Sequence, residues 1–131
     1  MKGVILMKFR TLMIVKAAVC LILGIPILLT TKFFYGLFGM ELGVAGVFAA
    51  REYGASLLGN FLLTYFGRFA QDTKARRALI MGMTLYNAIG FIVTLITVLS
   101  GAMNLLGWGP VAIYLFFALG FGYFLIKPPK P

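Results

Sequence analysis

The stretch AAREYGASLLGNFLLTYFGRF, residues 49–69, decides the fold. As a helix it rises about 1.5 Å per residue, enough to cross a hydrocarbon layer of about 30 Å. Charge brackets it: Arg51 and Glu52 near one end, Arg68 at the other. Glu52, Ser56, Asn60 and Thr64 recur every fourth residue and stack along one side, with Gly59 and Gly67 close by. Hydrocarbon offers these groups no hydrogen-bond partner. The stripe is therefore expected to face other helices rather than lipid.

Composition points the same way. Of 131 residues, 62% are hydrophobic and only 11% charged, with a mean hydropathy of +1.02. That is too little charge to solvate a water-soluble surface. The length suits one integral membrane domain of four spans with short connections. Twelve basic residues against three acidic ones, Glu41, Glu52 and Asp72, leave a net charge of +9. In a membrane chain the positive-inside rule and anionic headgroups account for this balance. No aromatic and basic stretch resembles a strand-binding groove, so nucleic acid is not an expected partner. The sequence holds no histidine and a single cysteine, Cys20. That removes the commonest general base and most metal centres, and it forbids an internal disulfide. Cys20 reads as a small apolar residue.

The expected spans are 11–31, 49–69, 79–100 and 108–126, an all-α polytopic membrane four-helix bundle. Residues 1–16 combine apolar residues with Lys2, Lys8, Arg10 and Lys16 but lack a prompt cleavage signature, so the first span is read as uncleaved. It is entered through a short amphipathic turn, and Lys16 is expected to snorkel back to the headgroups. Pro26 should kink this helix. Residues 32–48, KFFYGLFGMELGVAGVF, are broken by four glycines and read as a glycine-rich interfacial or shallowly re-entrant segment between the first two helices. Phe33, Phe34, Tyr35 and Phe38 would join an outer aromatic belt, Tyr123 and Phe124 an inner one. In the third span, Asn87, Gly90, Thr94 and Thr97 follow a spacing that suits a helix-packing seam. Asn60 and Asn87 are expected at comparable depth across an antiparallel pair, and a double-mutant cycle would tell whether they bond each other. Trp108 anchors the next interface, and Pro110 suits the first turn of the last helix.

Ten basic residues fall at the two ends and in the 68–78 loop; only Lys32 and Arg51 fall opposite. Both termini are thus expected in the cytoplasm. Arg68, Lys74, Arg76 and Arg77 form the basic surface of that loop. A charge at a helix centre costs ~2.5–3.5 kcal/mol on insertion scales, and much less at the interface where Arg51 and Glu52 are read to lie. Glu52, Ser56, Asn60 and Asn87 are the candidate ligand-binding residues. The alternative for Glu52 is an interfacial ion pair, and for the asparagines simple interhelical bonding. No phosphate loop, metal-ligand spacing, triad or carboxylate pair is present in the sequence, so no catalytic or metal residue is assigned.

A first helix with late Gly24 and Pro26, a glycine–aromatic outer segment, REYGASLLGNFLL opening the second helix, and a basic inner loop form an ordered set. This order resembles the DoxX-like group of small four-helix bacterial membrane proteins. The resemblance implies a bacterial inner membrane and, as in some members, an association with membrane redox or quinone systems. Two functions stay open. One is a non-enzymatic accessory or assembly subunit of a larger membrane complex, with a membrane-protein partner or a second copy. The other is a binder or carrier of a quinone or lipid, with an outer-leaflet pocket near Glu52. Chemistry on a lipid-soluble substrate through Glu52 and Tyr53 is a third.

Overall fold

A computed structural model describes residues 8–71 and 73–128. The entry turn before Lys8, Asp72 in the basic loop, and Lys2 and Lys130 of the charge count lie outside the described residues. Five α-helices follow in order: α1 (Phe9–Leu29), α2 (Thr31–Gly36), α3 (Val44–Gly67), α4 (Thr73–Leu99) and α5 (Trp108–Ile126). A 3-10 turn at Leu105–Gly107 precedes α5, and there is no strand among the described residues. Three of the helical stretches, Phe9–Leu29, Lys74–Leu99 and Leu105–Ile126, are long and apolar enough to cross a membrane. α3 has the length, at 24 residues, but its polar residues dilute its hydropathy.

Local chemistry sets the ends. α1 runs through Pro26 and breaks at Thr30. There the Thr30 and Thr31 hydroxyls donate to the carbonyls of Pro26 and Ile27 at 2.9 and 2.6 Å. Such side chains compete with the backbone for its own acceptors, which favours a break. Gly39 and Gly101 take φ of 76° and 85°, a region that favours glycine, and they close α2 and α4. Pro110 lies in the first turn of α5, where no intrahelical acceptor awaits an N–H. The 32–48 segment is not one continuous interfacial piece. It comprises α2, a turn, four residues without regular structure and the first turn of α3, because Gly43 caps α3 before residue 49.

Packing is by pairs. α1 lies along α3 and α4 along α5, while α3 and α4 barely touch. Gly24 and Gly54 mark the α1–α3 crossing: a Cβ on Gly54 would lie 3.0 Å from Leu28 N and 3.2 Å from Gly24 O. Backbones this close are how helices associate where lipid removes the hydrophobic drive. Gly90 serves α4 and α5 likewise, with the Tyr114 ring lying where its side chain would be. One core, toward the start of α1, packs Phe9, Leu12 and Met13 against Ile80, Met83, Phe117, Phe121 and Phe124. Phe124 is therefore a core residue, edge-on to Phe9 at 5.8 Å, and not part of a belt. A second core joins Cys20, Ile27 and Leu57 with Phe34 and Tyr35.

The polarity of this protein is inverted relative to a soluble one. Lys16, Thr64 and Asn87 are 2%, 0% and 0% exposed, while Val44 is 92% exposed and Leu29 72%. Apolar outside and hydrogen-bonded polar inside is the arrangement a bilayer demands.

Candidate functional site

Lys16 does not snorkel. It sits on the buried face of α1 with Phe9, Met13, Cys20, Gly24 and Ile27, residues three or four apart that share one side of a helix. Its ammonium donates to Asn87 Oδ1 at 3.0 Å. It also lies 5.0 Å from the Tyr86 ring centre and 4.7 Å from that of Phe117, within range of cation–π attraction. Asn87 in turn donates from Nδ2 to Met83 O at 2.7 Å. Glu41 and Glu52, the carboxylates among the described residues, are both exposed. The buried ammonium is thus held by a neutral amide and two aromatic faces.

Three tyrosines adjoin it. Tyr53 of α3 and Tyr114 of α5 share a hydroxyl–hydroxyl hydrogen bond. Tyr86 of α4 stands edge-on to Tyr114, with ring centres 6.2 Å apart. Its hydroxyl is buried, close to the other two without forming a hydrogen bond of good geometry among the described residues. Beside this cluster, in the seam between the two helix pairs, lies a cavity of about 210 Å³. Lys16, Cys20, Tyr53 and Tyr114 line it, with Thr94 and Thr97 from α4 and a cover of Phe34, Tyr35, Phe38 and Met40 from α2 and the turn after it. Asn104 fastens that cover: its Nδ2 donates to Leu37 O at 2.9 Å, and its N–H to Phe38 O at 2.9 Å.

The expected ligand-binding set does not assemble. Glu52 and Ser56 are exposed and line no part of the cavity. Asn60 donates to Ser56 O of its own helix at 3.1 Å, not to Asn87. The reason is angular. Steps of four residues advance about 40° past a full turn, so a stripe spanning twelve residues rotates about 120°. It starts outward at Glu52 and turns inward only at Thr64, whose hydroxyl donates to Asn60 O at 2.8 Å. Asn87 is buried as expected, but against Lys16. The seam of Asn87, Gly90, Thr94 and Thr97 does face inward, toward α5 and the cavity rather than along α3.

The basic loop is partly structural. Arg76 is buried, donates from Nε to Ala70 O at 2.8 Å and lies 5.3 Å from the Phe9 ring centre. Arg68 donates to Tyr65 O and stacks on Tyr65 and Phe69 at 3.9 and 4.0 Å. Lys74 and Arg77 are exposed.

Sequence reasoning missed the buried role of Lys16, and Tyr86 and Tyr114; of the three tyrosines it named Tyr53, beside Glu52. The three-and-four spacing from Phe9 to Ile27 was a signal for Lys16. The tyrosines, one on each of three helices, carry no linear signal. No group of histidine, cysteine and carboxylate side chains suited to a metal occurs among the described residues. No family model, curated protein or solved structure matches this chain.

Proposed function

We propose that this protein binds a hydrophobic small molecule inside the membrane, a lipid or quinone, with its polar head in the cavity beside Lys16, Tyr53 and Tyr114. One observation carries the reading: an apolar cavity into which an ammonium and phenols converge. Largely preformed apolar clefts with a few placed polar groups are the usual form of small-molecule sites. In this reading α3 is the fourth span, both termini are cytoplasmic, and the pocket lies deeper than Glu52. The DoxX-like pattern, with its quinone-associated members, accords with it.

The test is native mass spectrometry of protein purified in mild detergent. A stoichiometric lipid or quinone adduct is expected. Thr94→Phe, which fills the cavity from α4, should lose that adduct while the melting curve stays cooperative. A wild type that carries no adduct and takes up none on addition overturns the proposal.

A second reading, an accessory subunit or homo-oligomer, is favoured by the outer face of α3. Arg51, Glu52, Ser56 and Gly59 are all exposed there, polar and small residues that helix interfaces in membranes favour. A stoichiometric membrane-protein partner in the same purification would support it.

A further inference from the structure

We infer that the head group this cavity takes is a carboxylate, on a single-chain lipophilic acid. The inference rests on the small-molecule reading above and narrows it by counting hydrogen-bond donors and acceptors. Lys16 has three N–H donors, of which Asn87 Oδ1 accepts one. In the Tyr53–Tyr114 pair one hydroxyl donates to the other, so the accepting hydroxyl keeps its own proton to give. The Thr97 hydroxyl, also on the wall, spends its proton on Val93 O at 2.8 Å and keeps lone pairs that can only accept. The charged group on this wall is donor-only, with two N–H groups left for a ligand beside one phenol proton. An ionised carboxylate is the complementary group, an acceptor only, with two oxygens and about four lone-pair sites.

Charge and size narrow the choice. The wall contains one cation, Lys16, and no arginine, which matches a monoanion; phosphate recognition more often draws on the planar guanidinium. A monoanionic phosphodiester lipid brings two chains and a glycerol. A cavity of about 150 Å³ holds one benzene, so 210 Å³ admits a head and a few carbons of one chain. The rest of the chain would leave through the seam where α3 and α4 barely touch. A neutral quinone presents acceptors too, but it does not compensate an ammonium that has only a neutral amide and aromatic faces around it. Charge buried without compensation is costly, and an ionic hydrogen bond is about twice as strong as a neutral one.

The test uses the full chain in phosphatidylcholine nanodiscs with decanoic acid, 1-decanol and ubiquinone-1, each at a matched bilayer mole fraction, and thermal stabilisation as the readout. Decanoate should bind at least tenfold more tightly than decanol or the quinone. Lys16→Gln keeps a donor for Asn87 and removes the charge; it should erase that preference while decanol binding persists. Equal binding of acid and alcohol, tighter binding of the quinone, or a preference that survives Lys16→Gln would each overturn the carboxylate inference. The small-molecule reading would still stand. If none of the three probes binds, that reading fails as well.

Discussion

At the residue scale, the contact that matters most is the one between Lys16 and Asn87. Both are buried, and the Lys16 ammonium donates to Asn87 Oδ1. Removing one partner strands the other in a low-dielectric interior, which costs more than the bond is worth. Asn87→Leu is expected to destabilise by about 2–4 kcal/mol, since it leaves an ammonium without its acceptor. The double variant Lys16→Met/Asn87→Leu should recover much of that loss, with a coupling of about 1–3 kcal/mol. A double-mutant cycle in a detergent unfolding series measures it, and strict additivity would show that the two do not act as a pair. Changing Asn60, which bonds within its own helix, should move stability little.

At the element scale, two glycines on one helix separate packing from propensity. A side chain on Gly54 meets backbone atoms of α1 at 3.0 and 3.2 Å, and backbone cannot swing aside as a flexible side-chain end can. Five residues on, a Cβ added to Gly59 would meet nothing within 4 Å. Gly54→Val should therefore force α1 and α3 apart and cost about 1–3 kcal/mol. Gly59→Val should stay within about 0.5 kcal/mol. Melting temperatures in one detergent compare the two. Equal losses would mean that helix propensity, and not the crossing, governs both.

At the scale of the whole molecule, the proposed orientation has a direct test. Cys20 is buried, so Cys20→Ala gives a background without an accessible thiol. Leu105→Cys, at a position 84% exposed, is expected to react with a membrane-impermeant maleimide on intact cells. Lys127→Cys, exposed at the other end of α5, should react only after lysis. The reverse pattern would invert the topology. The same inverted polarity that makes the exterior apolar leaves the Lys16–tyrosine cluster as the polar centre, between two apolar cores.

The sequence by itself determined that the chain is helical and apolar enough for a membrane, and roughly where its helices lie. Hydropathy, capping and breaking act over a few neighbouring residues, so Pro110, Gly101 and the paired threonines could be read locally. Only the tertiary structure decided which face of each helix turns inward and which helices pair. The physical reason is the solvent. In water an amphipathic pattern marks the buried face, but in lipid both faces of a helix are apolar and the pattern carries little of that information. Close approach at Gly24, Gly54 and Gly90 settles the faces instead. That choice turns Glu52 and Ser56 outward, draws Lys16 in, and brings Tyr53 and Tyr114 from two helices to one cavity, with Tyr86 packed against Tyr114.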